Sequence, residues 1–162
     1  MQFALTILGS SSALPTSTRY PSAHLLNVNE RFFLIDCGEG TQMQLRKYKF
    51  RFSRINHIFI SHLHGDHYFG IFGLLSSFSL LGRTNPLYIY AHSDMEDILN
   101  FHFKHFPLGF KIIFHPLNED KAELIFEDKQ LTVTSFPLKH RIASNGFLFK
   151  EKQKERNIKK DM

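Results

Sequence analysis

A cluster of ligand-type side chains directly follows a predicted buried strand at residues 56–60. After that strand the chain reads Ser61-His62-Leu63-His64-Gly65-Asp66-His67. Because alternate residues of an extended segment share a face, His62 and His64 can point at one centre. Asp66 and His67 follow a turn and can point at a second centre. Burying these polar groups together is costly unless a cation compensates them, and imidazole and carboxylate groups are zinc ligands. The cluster therefore predicts a metal site, with Mn²⁺ and Fe²⁺ as alternatives to Zn²⁺.

The composition is that of one ordinary globular domain. The chain has 162 residues, of which 43% are hydrophobic and 22% charged, enough for a sizeable core. No apolar run approaches the ~20 residues that span a bilayer, and the first residues lack the basic segment of a signal peptide. The single cysteine, Cys37, excludes an internal disulfide and fits a reducing compartment. We therefore expect a cytoplasmic protein with no membrane partner.

The positive charge is uneven along the chain. The net charge is +5, and residues 150–162 contribute six Lys or Arg and three acids, a net of +3. We expect this segment to be a charged, flexible tail or a solvated helix. Alternatively, the net positive charge indicates contact with the phosphates of a nucleic acid.

Strand-type segments dominate the chain, with helical segments between some of them. We predict strands at 3–8, 23–28, 31–36, 56–60, 87–91, 111–115, 122–127, 131–136 and 146–149, and helices at 39–48, 68–81 and from Ser93 to Phe103. Asn29 and Glu30 form a hairpin turn, and Ser93 with Glu96 forms a capping box. The pattern predicts a layered α/β or α+β domain, with an antiparallel meander around residues 117–130.

The histidine cluster and its surroundings resemble a known family. His62-Leu63-His64-Gly65-Asp66-His67 is similar to the signature of the metallo-β-lactamase fold hydrolases. Further stretches are similar to ribonuclease Z, the tRNA 3′-processing endonuclease: Leu8-Gly9-Ser10-Ser11-Ser12-Ala13-Leu14-Pro15, Ile35-Asp36-Cys37-Gly38-Glu39-Gly40-Thr41-Gln42, Gly70-Ile71-Phe72-Gly73-Leu74-Leu75, Phe136-Pro137-Leu138-Lys139-His140 and Ser144-Asn145-Gly146-Phe147. The resemblance implies that residues 1–149 are the N-terminal half of a metallo-β-lactamase-type αββα sandwich, a mixed sheet with flanking helices.

The resemblance also implies roles for individual side chains. One zinc would be bound by His62, His64 and His140. A second zinc would be bound by Asp66 and His67, and Asp66 would also be the candidate general base.

Other side chains would act around these ligands. Asp36 would hold the metal loop through hydrogen bonds without binding the metal. Arg19 is a candidate for phosphate binding, although its loop has Ser17 and Tyr20 where many relatives have Lys and Asn. Glu39 and Gln42 are expected to cap or support the helix that follows them.

The resemblance extends beyond what this chain contains. The family continues through an exosite arm that grips tRNA, then an aspartate that bridges the two metals and a last histidine. After His140 the sequence has no histidine, and its only acids are Glu151, Glu155 and Asp161. We therefore expect one zinc, or none, to be firmly bound. We also expect a truncated chain with little or no activity, a natural half-length protein being the alternative. The inner face of the half-sandwich should be bare, which predicts a homodimer or a domain swap.

The implied function is zinc-dependent removal of the 3′ trailer from precursor tRNA. Two other functions stay open. One is another hydrolase on the same fold, of the phosphodiesterase, arylsulfatase or thioesterase type. The other is a non-catalytic module that uses the metal for structure.

Overall fold

The computed structural model describes residues 2–153 and places nine strands in two sheets. The first sheet has six strands in the order β1 to β6. These strands are Phe3–Gly9 (β1), Ala23–Val28 (β2), Arg31–Ile35 (β3), Ile55–Phe59 (β4), Leu87–Ala91 (β5) and Ile112–Pro116 (β6). The second sheet contains Glu123–Glu127 (β7), Leu131–Pro137 (β8) and Asn145–Glu151 (β9). The predicted strands are all present, with ends shifted by one or two residues.

The first sheet is mixed in direction. The β1–β2 and β2–β3 pairs are antiparallel, whereas β3 to β6 are parallel. The predicted hairpin between β2 and β3 is confirmed, and its two turn residues, Asn29 and Glu30, have φ of 52° and 65°. Positive φ at both central residues is typical of a type I′ turn, whose twist matches that of the flanking strands.

Four α-helices connect the strands of the first sheet: Thr41–Lys47 (α1), Gly65–Tyr68 (α2), Ile71–Leu80 (α3) and Asp94–Phe103 (α4). A single turn of 3-10 helix, Phe52–Arg54, precedes β4. The predicted helix over 68–81 is divided near Gly70. A Cβ there would lie 2.1 Å from the carbonyl oxygen of Gly38, so only glycine allows this approach. The predicted capping box is wrong. Ser93 has helical φ and ψ of −50° and −42° and makes no side-chain capping bond, whereas a capping residue needs extended backbone.

One core lies between the first sheet and the helices. Its largest fully buried side chains include Leu34, Leu45, Ile58, Ile71, Leu74, Leu75 and Phe78. Apolar residues of α3 recur at helical spacing and face the sheet. The single cysteine, Cys37, is buried in this core. Burial raises the pKa of its thiol to about 12, so the thiol stays protonated and unreactive.

A second core lies between the two sheets, which corrects the expectation of a bare inner face. Phe33, Phe59 and Tyr90 of the first sheet pack against Leu131 and Val133 of β8. The antiparallel meander predicted around residues 117–130 is confirmed only in part. The β7 and β8 strands pair antiparallel, but β6 belongs to the first sheet, and β9 completes the second sheet beside β8. Their inward apolar residues form a second layer of the sandwich within this chain. The inner face is therefore covered over most of its width.

The second sheet does not extend over the edge strand β1. Phe3, Leu5 and Ile7 point to the same side as Leu26 and Val28 of the inter-sheet core, yet they are 41%, 56% and 56% exposed. The bare inner face predicted from the sequence is thus reduced to this edge.

The C-terminal region begins as a strand. β9 continues to Glu151, so Lys150 and Glu151, predicted to belong to the tail, pair with β8. Residues 154–162 of the predicted tail lie outside the described residues. Among the helices of the described part, none has the length and apolar character needed to cross a membrane.

Candidate metal centre

The histidine cluster lies beyond the carboxyl end of β4, where ligands bind in many open α/β sheets. His62 and His64 are in the extended segment after the strand, and His64 is the residue that precedes α2. Asp66 and His67 are the second and third residues of that helix, which is a single turn. The local sequence explains this arrangement, because the buried strand stops at Phe59 and Gly65 begins the helix.

Three histidines converge at this edge and form what we call the three-histidine centre. The candidate ligand atoms of His62, His64 and His140 all lie within 4.8 Å of one another. The distance from His64 Nδ1 to His62 Nε2 is 3.1 Å, and that to His140 Nε2 is 3.3 Å. His140 comes from the loop after β8, so the second sheet supplies one of the three side chains.

These distances fit a tetrahedral metal. With bonds of about 2.0–2.1 Å from nitrogen to zinc, adjacent ligand nitrogens of a tetrahedron lie roughly 3.3 Å apart. One ring nitrogen of His64 cannot hydrogen-bond well to two other imidazoles at once. The donor set therefore fits a zinc ion with three histidine ligands and one further open position.

Asp66 and His67 form a second group, which we call the Asp66–His67 pair. The Nε2 atom of His67 lies 3.4 Å from Asp66 Oδ2, and its ring centroid is 3.9 Å from that of His62. Within residues 2–153, no third histidine, cysteine or carboxylate joins this pair to make a second cluster. The pair offers two donors next to the three-histidine centre.

Asp36 connects the strands to the metal loop. One carboxylate oxygen accepts a hydrogen bond from the Ser61 backbone N–H at 2.9 Å. The other accepts from the Ser22 hydroxyl at 2.9 Å and lies 2.6 Å from His67 Nδ1. This bond directs His67 Nε2 toward Asp66, as a carboxylate behind a ligand histidine commonly does. Asp36 has φ of 57°, a strained backbone of the kind found at functional sites.

Two serines that the sequence reasoning missed complete the support. The Ser61 hydroxyl lies 3.0 Å from His62 Nδ1 and 3.2 Å from His67 Nδ1. The Ser61 carbonyl accepts a hydrogen bond from the Asn145 N–H at 2.9 Å, and His62 pairs with Ser144 in an isolated bridge. These bonds join the second sheet to the metal loop and position His140. A serine beside a ligand histidine is too common in sequences to signal this role.

Burial and charge set the protonation of the site. Burial, followed by the charge of His67, lowers the pKa of His62 to about 4, so the ring is neutral and able to bind metal at pH 7. Burial alone would raise the pKa of Asp36, but the bonds from His67, Ser61 and Ser22 outweigh it, and the pKa lies below its usual value. Burial lowers the pKa of His67, but Asp36 and Asp66 raise it above the usual value overall.

An open cavity of about 610 Å³ lies over the site. Its walls include the three-histidine centre, the Asp66–His67 pair and parts of the loop at residues 12–21. Glu39 also lines the cavity and does not cap α1, whose capping position is Gly40 without a side-chain bond. Gln42 does support the helix layer, since it accepts a hydrogen bond from Ser77 of α3 at 3.0 Å. Arg19 is exposed in the same loop but is not among the lining residues.

The chain is similar to several known proteins. The family model described as Anti-Pycsar protein Apyc1 matches residues 3–105. A ribonuclease Z of Phocaeicola vulgatus is 50% identical over 99% of this chain and 53% of its own length. The crystal structure of human tRNase Z, short form, is 38% identical with a TM-score of 0.83, covering 91% of this chain and 64% of that chain.

A more distant structure shows the fold. The metallo-β-lactamase fold protein YhfI of Bacillus subtilis is 21% identical with a TM-score of 0.71, over 90% of this chain and 58% of that chain. The chain spans about half the length of the curated relatives it matches. Because the family model covers more than half of the chain, the chain belongs to the family described as Anti-Pycsar protein Apyc1, and it is a homologue of ribonuclease Z with the metallo-β-lactamase fold.

Proposed function

We propose that this chain carries part of the active site of a zinc-dependent endoribonuclease that removes the 3′ trailer from precursor tRNA. The convergence of His62, His64 and His140 is the observation that carries this proposal. The relatives named ribonuclease Z and the human tRNase Z structure support the reaction class. In this reading residues 1–149 are the N-terminal half of the catalytic domain, and the residues after them lead into its second half.

We assign each side chain a role from its position in the site. His62, His64 and His140 would hold the first zinc, and Asp66 with His67 Nε2 would hold the second. A bound zinc lowers the pKa of water and polarises phosphate oxygens. Asp66, which borders the cavity, would accept a proton from the attacking water. Asp36 would keep the His67 ring in the tautomer with its proton on Nδ1. Arg19, exposed in the cavity loop, would meet a substrate phosphate.

This chain alone should be inactive or nearly so. The described residues give the second metal only two side-chain donors, and a two-metal site needs both ions to steady the attacking and leaving oxygens. We further propose that the complete enzyme is a homodimer acting in the cytoplasm. The exposed apolar edge of β1 supports the first statement. The presence of a single cysteine, which cannot form a disulfide within the chain, supports the second.

The test is to compare this chain with a longer one. The chain would be joined to the second half of the Phocaeicola vulgatus relative, and both proteins would be assayed on precursor tRNA. We expect trailer cleavage by the joined protein and none by the chain alone. The same joined protein with His64→Ala is the matched control and should be inactive.

Two other outcomes would overturn the proposal. Cleavage of a thioester or an aryl sulfate, but not of precursor tRNA, would indicate another hydrolase on the same fold. Tight zinc binding with no hydrolysis of any substrate, even by the joined protein, would indicate a metal-binding module.

A further inference from the structure

The most basic segment of the protein lies far from the candidate metal centre. Residues 46–54 read Arg-Lys-Tyr-Lys-Phe-Arg-Phe-Ser-Arg, with five basic residues and no acid. The remaining chain has 15 Lys or Arg and 15 Asp or Glu, which cancel. This segment carries +5 by itself, residues 150–162 carry +3, and the other residues together carry −3. Basic residues interleaved with aromatic ones are typical of surfaces that bind nucleic acid.

The segment lies at the amino end of β4, and the candidate metal centre lies beyond the carboxyl end of the same strand. The segment contains the end of α1 and the turn before β4, so Arg54 precedes the strand and His62 follows it. Eight residues of extended chain span roughly 25 Å. A ligand on this segment would not enter the metal cavity.

The segment forms one wall of a cavity of about 610 Å³, which we call the arginine pocket. Arg46, Arg51 and Arg83 contribute charge, Phe50, Phe52 and Phe78 contribute aromatic surface, and no acidic side chain lines it. Phe52 and Phe78 pack edge to face with ring centroids 5.6 Å apart, so this part of the floor is fixed.

The three arginines differ in what they already bind. Arg83 is fixed by bonds to the Ile55 and Pro86 carbonyls at 2.9 and 2.7 Å, and its guanidinium stacks over Phe78. Arg46 and Arg51 are exposed and make no ion pair or side-chain hydrogen bond with any residue in the described part of the chain. The pocket therefore presents two available guanidinium groups beside one fixed charge and an apolar floor.

We propose that the arginine pocket binds a nucleotide unit of an RNA chain, with phosphate at Arg46 and Arg51 and a base against Phe50 and Phe52. A guanidinium group can bind a phosphate through two parallel N–H···O hydrogen bonds. Bases of any identity can stack on aromatic side chains. Lys47 and Lys49 continue the charge outside the pocket, which suits successive phosphates of a strand better than one free nucleotide. The choice of RNA over DNA rests on the proposed function.

The test measures binding without metal or cleavage. A fluorescein-labelled single-stranded RNA of about twelve nucleotides would be titrated with the chain in EDTA, by anisotropy at several salt concentrations. Arg46→Glu with Arg51→Glu should weaken binding about tenfold or more and reduce the salt slope by about 1.4, since each phosphate contact on a single strand contributes about 0.7. Lys121→Glu with Lys129→Glu is the control, with the same change in charge on exposed residues elsewhere.

Each result decides a separate part of the proposal. Equal losses in the two double variants would show unspecific attraction and would overturn it, as would no binding by the unmodified chain at low salt. Displacement of the RNA by equimolar AMP would assign the pocket to a free nucleotide. Equal affinity for DNA of the same sequence would remove the preference for RNA. Because EDTA removes the metal, a failure of the proposed cleavage reaction would not affect these results.

Discussion

The two candidate metal-binding groups differ in where their side chains come from. The three-histidine centre takes His62 and His64 from the end of the first sheet and His140 from the second sheet. The Asp66–His67 pair lies within one short helix. The first group is thus complete only when both sheets pack together, whereas the second forms locally but lacks a third donor among the described residues. Ligands that are close in sequence therefore do not by themselves make a complete site in this chain.

The largest expected effect is the loss of one histidine from the three-histidine centre. Zinc binding to a structural site with four ligands is worth about 10–16 kcal/mol, or about 2.5–4 kcal/mol for each ligand. His64→Ala should therefore weaken zinc binding roughly 10²- to 10³-fold. Competition with a chromophoric chelator would measure it. His105→Ala, at an exposed position in the loop after α4, should bind zinc like the unmodified chain. An unchanged affinity in His64→Ala would break the assignment of the first group.

The next effect concerns the packing of the two sheets, which brings His140 close to His62 and His64. His57 is stacked between Phe33 and Tyr88 and contacts Phe126 of the second sheet. Burial, followed by the charge of Arg31, lowers the pKa of His57 from 6.5 to about 4. The unfolded chain therefore takes up a proton in this window while the folded chain does not. The free energy of unfolding should fall by about 3 kcal/mol from this residue as the pH drops from 6.5 to 4.

Urea unfolding of the metal-free chain at pH 7 and pH 4.5 would measure this dependence. His57→Phe should reduce this dependence by the share that His57 contributes, with the share of His62 remaining. The exposed His105→Gln should leave the dependence unchanged. If His57→Phe kept the full pH dependence, another group would be responsible for the weakening of the sheet packing in acid.

A smaller effect is expected from Asp36, which supports the Asp66–His67 pair. Asp36→Asn keeps the size of the side chain but removes the charge that faces His67. The pKa of His67 should fall, and the free energy of unfolding should drop by about 1–2 kcal/mol because a buried charged hydrogen bond is weakened. Proton NMR titration of the metal-free chain would follow the ring of His67. A pKa of His67 that did not move would show that the 2.6 Å contact has no electrostatic role.

The smallest effect should come from the pair itself. His67 Nε2 is not among the three convergent nitrogens, so His67→Ala should change the affinity for the first zinc by less than about threefold. The same chelator competition, compared with His64→Ala, gives the contrast between the two groups directly. Equal losses in the two variants would show that they form one inseparable site.

The sequence predicted those parts of the site that lie within a few residues of one another. The spacing of His62, His64, Asp66 and His67 after a strand indicated a metal from local geometry alone. His140 is 76 residues from His64, and only the resemblance to a family pointed to it. The bonds of Ser61 and Asn145 that dock the second sheet depend on tertiary packing, which no local pattern encodes.

The fold shows the same division between local and distant information. All nine strands and the β2–β3 turn were predicted from alternation and turn residues. The contact of β8 with the first sheet was missed, because hydrophobic alternation shows that a strand has a buried face but not what covers it. The prediction of a capping box at Ser93 was wrong because Ser93, although it precedes α4, has helical φ and ψ. A four-residue sequence motif does not reveal this backbone conformation.

The zinc content of the unmodified chain tests the central claim most directly. The chain would be loaded with excess zinc, dialysed extensively and analysed by elemental analysis against protein concentration. We predict about one zinc per chain, held by the three-histidine centre. No retained zinc would show that His62, His64 and His140 do not form a complete site, and two would show that the Asp66–His67 pair obtains its missing ligands from elsewhere.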